Sequence, residues 1–454
     1  MSISNTILKP YSSSSSLSSV DEQPFNISHG VIPLTVFDKA THDCHISVFF
    51  AFRPPMPSNE VLKDGLSKVL VYYPHLAGRF ITDDQGRTCI DLNNAGVRVI
   101  ETDILSTIAE QLPFDASKDN SHLIPRPGKG ADELLLHIQL NRYACGGLVL
   151  GFSYHHRVAD GEAMCLFFLS WSRIVRGLNI QLLPYHDRLA VSQPRNPPKV
   201  EFDHGSIEFK KTSINLDTPP VSSSVPQVES VLINYSSEFI NKLRGMICNP
   251  HQRYSTFTCL LSHVWKKLTQ VRGLDPEESS QVRIAVSGRA RISEPAVPMV
   301  YFGNLVLWAY PSLTVKELLN ESHAYIAKAI HDEVSSVDNR YFKSFIDFGA
   351  EIYQHGGGGG GSSCNEDELQ TTTAGAGGTL CPDLEVDSWL RFQEIDFDFG
   401  GGLPCALVPP NNLFEGILIF IPDGNGGVNV KLNLFAEQVP LFKQISHSIT
   451  GNLS

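Results

Sequence analysis

The chain contains no apolar run of membrane-spanning length. No stretch approaches the roughly 18 consecutive apolar residues that a transmembrane helix needs, so we expect no membrane partner. The N-terminus lacks a basic segment followed by an apolar one, which argues against a secretory signal peptide. The Ser-rich run Ser12–Ser19 has the composition of a transit peptide. Because Asp21 and Glu22 follow it and arginine is absent there, we predict a mobile tail over residues 1–25.

Cysteine pairs of the kind that hold zinc or form a redox disulfide are missing. The nine cysteines are odd in number, scattered, and never separated by two residues. This pattern argues against a disulfide framework and favours a reducing, cytoplasmic compartment. Neither His-Glu-x-x-His nor Gly-x-Ser-x-Gly occurs, which disfavours a zinc peptidase and a serine hydrolase. We therefore expect no bound metal.

Positive charge is scarce. The chain has 36 Lys and Arg against 48 Asp and Glu, a formal net charge of -12. Nucleic-acid binding calls for clustered basic residues, so we expect no nucleic-acid partner. The acidic balance is compatible with a cationic small molecule, although bulk charge identifies no particular ligand.

Length and patterning indicate two domains. A chain of 454 residues is too long for one ordinary hydrophobic core, and strand-like and helix-like runs alternate in both halves. A Pro-rich segment of poor periodicity covers residues 191–225, so we predict mixed α/β domains over 26–190 and 226–454 joined by a crossover loop. Within the second domain the pattern predicts a helix over Val315–Val334 and a strand over Ser388–Phe392.

Six consecutive glycines, Gly356–Gly361, open a polar segment that extends to about residue 379. A phosphate-binding loop would need Gly-Lys followed by Ser or Thr, between a strand and a helix, and neither feature is present. We therefore predict a disordered surface loop over residues 355–379.

One short stretch carries acid–base residues. Tyr154–Gly161 reads Tyr-His-His-Arg-Val-Ala-Asp-Gly and lies between an apolar strand-like run and a helix predicted over Glu162–Val175. Strand ends often aim catalytic side chains into clefts, and histidine titrates near neutral pH. Asp160 has the chemistry to hold the turn by accepting from backbone donors or by pairing with a cation. A histidine pair at a strand end is nevertheless more often a core or surface feature than a catalytic one.

Together with a second motif, this stretch resembles a known enzyme family. His155-His156-x-x-x-Asp160-Gly161 and Asp398-Phe399-Gly400-Gly401-Gly402-Leu403-Pro404 follow the order and spacing of the plant BAHD acyl-CoA-dependent acyltransferases. Three intermediate segments agree: Tyr73–Arg79, Gly288–Arg291 and Tyr301–Asn304. The resemblance implies two chloramphenicol-acetyltransferase-like α/β domains with an active-site channel at their interface. It also implies an acyl-CoA thioester as co-substrate and no permanently bound cofactor.

The resemblance further implies roles for residues of the histidine motif. His156 would be the general base, and His155 and Gly161 would support it. Asp160 would orient the motif by pairing with Arg289, which joins two distant parts of the chain.

The second motif would shape the CoA side of the channel through Asp398, Phe399, Gly400 and Gly402. The glycines are equally compatible with a tight turn that touches no ligand. Basic residues on one predicted helix are candidates for the CoA phosphates, against the more ordinary reading of a solvated helix face; they are Lys266, Lys267 and Arg272.

Two departures from the common family string Asp-Phe-Gly-Trp-Gly-Lys/Arg-Pro point to an amine acceptor. Gly401 replaces Trp and Leu403 replaces the basic residue; with Glu385 and Asp387 upstream, the chain resembles the agmatine and aromatic-amine hydroxycinnamoyltransferases. These two acids suit an amine or a guanidinium, although exposed acids are common. We expect a monomer that transfers p-coumaroyl, feruloyl or caffeoyl groups from CoA to agmatine, putrescine, tyramine or tryptamine, giving an amide and free CoA.

Two alternatives stay open. O-acylation of an alcohol returns if Gly401 and Leu403 carry no acceptor information. A non-catalytic acyl-CoA- or metabolite-binding protein on the same scaffold would keep its function after His156→Ala, whereas an acyltransferase would lose most turnover. The histidine motif also occurs in peptide condensation domains and chloramphenicol acetyltransferase, but neither carries the Asp-Phe-Gly segment in this form.

Overall fold

The computed structural model describes residues 3–12, 30–114, 120–128, 133–208, 227–355, 379–391, 397–409 and 414–449. Residues 13–19 of the Ser-rich run and the six glycines lie outside the described residues, so the predictions made for them stay predictions.

The chain divides into two compact units that are discontinuous in sequence. The first comprises Met1–Gln193, Glu294–Leu305 and Glu394–Pro410, and the second comprises Pro194–Ser293, Val306–Gln393 and Asn411–Ser454. The domain ranges predicted from the sequence are continuous, so the short segments of the second half that belong to the first unit are not part of that prediction.

The first unit is built on a six-stranded sheet and a three-stranded sheet. Its strands are β1 (Ile3–Leu8), β2 (Val31–Pro33), β3 (His45–Phe52), β4 (Arg79–Thr82), β5 (Thr88–Asp91), β6 (Val97–Ile104), β7 (Leu136–Tyr143), β8 (Leu148–His155) and β14 (Ala406–Val408). The large sheet has the order β1-β6-β7-β8-β3-β14, and the small one β2-β5-β4. In the large sheet β6 and β7 are parallel, and the other neighbours are antiparallel.

Strand β8 is buried along its whole length, as its continuous apolar run predicts. The helices of the first unit are α1 (Val36–Lys39), α2 (Asn59–Val69), α3 (Gly161–Val175) and α4 (Arg188–Val191). Helices α2 and α3 pack closely: a Cβ at Gly65 would lie 2.5 Å from Val175 Cγ2. The Trp171 indole N–H also donates to the Leu62 carbonyl oxygen (3.0 Å). The buried strand and the packed helix are rigid supports on both sides of the histidine motif.

The second unit contains a seven-stranded mixed sheet. Its strands are β9 (Val228–Tyr235), β10 (Ser279–Ser287), β11 (Val306–Ala309), β12 (Ser312–Thr314), β13 (Leu384–Ser388), β15 (Ile417–Pro422) and β16 (Val428–Phe435). The order is β11-β10-β13-β15-β16-β9, and β12 pairs with β10. Strands β10, β13 and β15 are parallel, which places β13 between two neighbours.

The helices of the second unit carry clear capping signals. They are α5 (His204–Ile207), α6 (Ser237–Ile247), α7 (Thr256–Arg272), α8 (Val315–Asn320), α9 (His323–Ser336), α10 (Asn339–His355) and α11 (Val439–Ile445). The hydroxyl groups of Ser236 and Ser255 accept from the N–H groups of Phe239 and Thr258, in the first turns of α6 and α7. With two sheet-rich α/β units, the predicted fold class is confirmed.

Several elements differ from the sequence prediction. Ile3–Leu8, assigned to the tail, pairs with β6. The helix predicted over Val315–Val334 is two helices, because Ser322 caps the second by accepting the Tyr325 N–H (3.2 Å). A strand was predicted over Ser388–Phe392, but the observed strand β13 lies before it and ends at Ser388. Helix α10 was not predicted. None of the described helices is both long enough and apolar enough to cross a membrane.

Candidate active site

The histidine motif begins on the last residue of β8. His155 lies opposite His45 of β3 in the antiparallel register. The N–H of His155 donates to the Leu135 carbonyl oxygen (3.0 Å), and the N–H of His156 donates to the Cys44 carbonyl oxygen (2.9 Å). The backbone of both histidines is therefore fixed by neighbouring chain segments before it turns towards α3.

His156 is half-buried and electrically neutral at pH 7. Burial lowers the pKa of its imidazole below the ordinary value of 6.5, and nearby backbone carbonyl groups and the Asp160 carboxylate only partly offset this effect. Within the described part of the chain, its Nδ1 is buried and has no hydrogen-bond partner of good geometry. A neutral imidazole keeps one ring nitrogen unprotonated, as a general base requires.

His155 is engaged by neighbours at both ring nitrogens. Its Nδ1 accepts from the Arg157 N–H (3.3 Å), which leaves Nε2–H to donate to Asp43, 3.3 Å away. This hydrogen bond, together with the Arg157 guanidinium, lowers the pKa of Asp43. The Phe80 ring packs edge-on against the imidazole, with 4.7 Å between centroids. This environment suits a supporting residue better than a proton acceptor.

Asp160 is buried and accepts from two backbone segments of the first unit. Its Oδ1 accepts from the Ala163 N–H (2.9 Å), which caps α3, and its Oδ2 accepts from the Leu305 N–H (3.0 Å). Gly161 is the first residue of the helix. The carboxylate thus fixes the point at which the motif becomes helical. Arg289 belongs to the second unit, and its pairing with Asp160 stays a prediction.

The Asp-Phe-Gly segment folds as a turn organised by its own aspartate. Asp398 Oδ1 accepts from the N–H groups of Gly400 and Gly402, each at 2.7 Å. Both glycines have φ near +100° (105° and 99°), where other residues are strained. Burial opposes ionisation of Asp398, but these N–H groups and the Arg176 guanidinium outweigh it and lower its pKa. Hydrogen bonds within the segment therefore account for its shape, and its role towards CoA stays a prediction.

Two further residues of this segment pack against other parts of the first unit. Phe399 is buried and meets Trp171 edge-on, with 5.0 Å between ring centroids. A Cβ at Gly401 would lie 2.1 Å from the Pro55 carbonyl oxygen and 2.5 Å from Met56 Sδ. The tryptophan of the family string cannot stand here unless that backbone moves. The replacement at Gly401 thus has a local steric explanation.

The two acids of β13 differ in their environments. Glu385 pairs with Arg283 (2.9 Å), whose guanidinium also lies 3.6 Å above the Trp308 ring. Asp387 as a whole residue is exposed, but its carboxyl group is poorly hydrated. This restricted hydration, together with the negative charge of Glu385, raises the pKa of Asp387 to about 6. Glu385 therefore has its charge matched within the unit.

The basic residues considered for CoA phosphates are engaged by protein groups. Lys266 Nζ donates to three carbonyl oxygens at the end of α8, at 2.7–2.9 Å. Arg272 is buried and pairs with Glu415 at 2.5 Å. Lys267 is also buried. These side chains therefore do not form a solvated face, and two of them already have their donors occupied.

Three functional candidates escaped the sequence analysis, namely Asp38, Arg188 and Asn304. All three are buried in the first unit and are hydrogen-bonded to one another or to the histidine motif. Asn304 ends one of the family-like segments, which was the available signal for it. Arg188 stands in no recognisable motif. Among the described residues, no cluster of three or more His, Cys, Asp or Glu side chains is arranged to hold a metal ion.

Comparison with known proteins identifies the family of this chain. The model of the Transferase family matches residues 24–448. This chain is a member of the BAHD acyltransferase family. BAHD members similar to it include tryptamine hydroxycinnamoyltransferase 2 of Oryza sativa subsp. japonica, 44% identical over 92% of this chain and 93% of that protein. Another is agmatine coumaroyltransferase-1 of Hordeum vulgare, 39% identical over 92% and 94%.

A solved structure supports the fold of this BAHD chain. The TRI101 protein of F. sporotrichioides superimposes with a TM-score of 0.72 at 20% identity, covering 91% of this chain and 97% of that one. As a BAHD member, the protein is an acyltransferase with an acyl-CoA co-substrate.

Proposed function

We propose that this acyltransferase moves a hydroxycinnamoyl group, such as p-coumaroyl, feruloyl or caffeoyl, from its CoA thioester to a primary amine. The observation that carries the proposal is the neutral His156 imidazole at the rigid end of β8. An acyl thioester is already activated, so the difficult step is the delivery of an unprotonated nucleophile.

An alkyl amine is mostly ammonium at pH 7, since such groups titrate near pH ~10. It first releases one proton to solvent, and His156 takes the second proton, which the neutral amine loses as it attacks. The amine nitrogen attacks the thioester carbonyl carbon, a C–N bond forms, and the C–S bond then breaks. The N–H proton passes to His156 and from there to the departing CoA thiolate. General base catalysis of this kind contributes roughly 10²–10⁴-fold.

Asp387 is our candidate partner for the cationic end of the acceptor. Glu385 is already paired with Arg283, whereas among the described residues no basic side chain forms an ion pair with Asp387. A carboxylate with a pKa of about 6 is mostly ionised at pH 7 and attracts an ammonium or guanidinium group. The relatives named for tryptamine and agmatine support an amine acceptor.

An acceptor panel tests the proposal. Purified protein and p-coumaroyl-CoA are incubated separately with agmatine, putrescine, tyramine, tryptamine and shikimate, and the products are identified by mass. A repeat with benzoyl-CoA tests the hydroxycinnamoyl part of the proposal. We expect an amide with at least one amine, no shikimate ester, and a preference for p-coumaroyl-CoA.

Other outcomes are equally informative. A shikimate ester without any amide would refute the amine acceptor and favour O-acylation. Retention of acyl-CoA without turnover for any acceptor or donor would favour the binding protein. A preference for benzoyl-CoA would replace the donor class while leaving the amine acceptor in place.

A further inference from the structure

Two buried side chains donate hydrogen bonds to the backbone of the histidine motif. Asn304 Nδ2 donates to the His156 carbonyl oxygen (2.9 Å). Arg188 Nη2 donates to the Val158 carbonyl oxygen (2.5 Å). These carbonyl groups lie in the turn between β8 and α3, beyond the last strand residue. The two side chains thus supply anchors at alternate residues of the turn.

One carboxylate aligns both donors. Asp38 Oδ2 accepts from Arg188 Nη1 (2.8 Å), and its Oδ1 accepts from Asn304 Nδ2 (3.0 Å). Thr35 holds the same carboxylate, since its N–H and its hydroxyl donate to Oδ2 at 2.8 and 2.9 Å. The fractional exposures of Asp38, Arg188 and Asn304 are 0%, 1% and 1%. Because a buried charge is costly unless it is paired and hydrogen-bonded, this set strongly favours one geometry.

We propose that Asp38, Arg188 and Asn304 are positioning residues that hold the His156 imidazole in its reactive place through the backbone of residues 156–158. The inference rests on the proposed role of His156 as general base. A displacement of about 1 Å in a reacting group can cost roughly 10²-fold in rate. The turn lies between a rigid strand and a rigid helix, so it is the part of the motif that is able to shift. The hydrogen-bond network of Asp38, Arg188 and Asn304 holds the backbone of this turn.

Loosening the turn has a consequence for the imidazole itself. Burial is the main cause of the lowered pKa of His156, so a turn that admits water raises this pKa towards 6.5. Among the described residues, Asp160 and His155 act on the charge of the ring, and the His42 and Tyr154 rings lie beside it with centroids at 6.5 and 6.2 Å. None of the network residues is among them, which separates a positional effect from a direct electrostatic one.

Two variants test the network. Asp38→Asn removes the shared charge, and Asn304→Ala removes the donor to the His156 carbonyl while leaving the Asp38–Arg188 pair intact. We expect kcat for amide formation to fall by about 10–100-fold in each, with KM for acyl-CoA changed less than about threefold. In protein labelled with ¹³C at the histidine rings, the His156 signal should titrate at higher pH than in the wild type. His156→Gln identifies that signal.

Asp347→Asn is the matched control. Asp347 is equally buried and pairs with Arg195 (2.6 Å), and it also accepts from the N–H groups of Arg195 and Lys199. It lies in the second unit, whereas the histidine motif lies in the first. The control should lower thermal stability but leave kcat of the folded protein and the titration of His156 unchanged.

The outcomes separate this inference from the proposed function. If Asp38→Asn and Asn304→Ala leave both kcat and the His156 titration as in the wild type, the inference is wrong, whatever the acceptor. If both variants lose no more kcat and thermal stability than Asp347→Asn does, and the His156 titration is unchanged, the variants are only destabilised in general. That result would also refute the inference. If the wild type acylates no amine, the proposed function fails, and the histidine titration still decides the inference. Should Asp38→Asn not fold, Asn304→Ala alone decides.

Discussion

At the scale of single residues, the pairing and the pKa of a carboxylate in this protein depend on its neighbours rather than on whether it is Asp or Glu. Glu385 and Asp387 are two residues apart on β13, yet Glu385 pairs with Arg283 while restricted hydration raises the pKa of Asp387 to about 6. Asp398 uses its charge to hold a glycine turn. The sequence identifies such residues as acids, but their partners are distant in the chain. Arg283 is 102 residues from Glu385.

The acceptor role of Asp387 predicts a pH-dependent KM. Asp387→Asn should raise KM for the amine by about tenfold or more, because a charged hydrogen bond contributes roughly 1.5–3 kcal/mol. In the wild type, KM for the amine should rise as pH falls through about 6, where the carboxylate becomes neutral. In the variant this pH dependence should disappear. Initial rates with varied amine concentration from pH 5 to 8 measure both effects.

The control for this prediction is Asp64→Asn. Asp64 is an exposed acid on α2 that pairs with Lys68 four residues away. Its loss should leave KM for the amine unchanged. If Asp387→Asn also leaves KM unchanged at every pH, the cationic end of the acceptor does not bind there.

At the scale of elements, two glycines differ in whether their surroundings leave room for a side chain. Gly401 lies against the backbone of Pro55 and Met56, where a Cβ does not fit. Gly245 lies exposed within α6, where a Cβ would meet nothing within 4 Å. The family-like string around Gly401 therefore reflects local packing, and the replacement of tryptophan is not by itself evidence about the acceptor.

A matched pair of glycine variants tests this packing. Gly245→Ala should increase the free energy of unfolding by about 0.5–1 kcal/mol, because alanine is the better helix residue. Gly401→Ala should decrease it by about 1–3 kcal/mol, as overpacking does. Chemical denaturation of both variants and the wild type measures the difference. A stabilised Gly401→Ala would mean that the turn does not approach Pro55 so closely.

Elements with strong local signals could be predicted from the sequence. Helices α6 and α7 carry such signals, because Ser236 and Ser255 cap apolar-periodic runs. Strand β1 was missed because five of its six residues are exposed, so no hydrophobic alternation marks it. The break before α9 was missed because the apolar pattern continues past the cap at Ser322.

At the scale of the molecule, both units bury neutral histidines. Burial lowers the pKa of His137, His186 and His204 to about 4 and that of His263 to about 3. In the unfolded chain these groups titrate near 6.5. The stability that they contribute is therefore fully present above pH 6.5 and is lost as pH falls towards 4, because the unfolded state takes up protons that the folded state excludes.

Acid destabilisation should accordingly begin well above the range of carboxylate titration. The free energy of unfolding should fall between pH 6.5 and 4, and His263→Gln should make this slope shallower by up to about 1.4 kcal/mol per pH unit. Replacement of the exposed His251 by Gln should leave the slope unchanged. Urea unfolding at several pH values measures it. A free energy of unfolding independent of pH in this window would show that the histidines are not held neutral.

Long-range organisation was the least predictable part of the site. Strand β14 pairs with β3 across more than 350 residues, and Asp38, Arg188 and Asn304 meet from three separate parts of the chain. Local periodicity carries no information on such contacts. The positions of His156 and Asp160 within a strand–turn–helix unit were readable, because the apolar strand and the periodic helix lie on either side of them.

The central claim is that His156 is the base for acyl transfer to an amine, and the most direct test is kcat for amide formation in His156→Ala beside His155→Ala. We predict a loss of about 10²–10⁴-fold for His156→Ala. For His155→Ala we predict a loss of less than about tenfold, because His155 is occupied by Asp43 and Arg157. A folded His156→Ala protein that retains wild-type turnover would contradict the account.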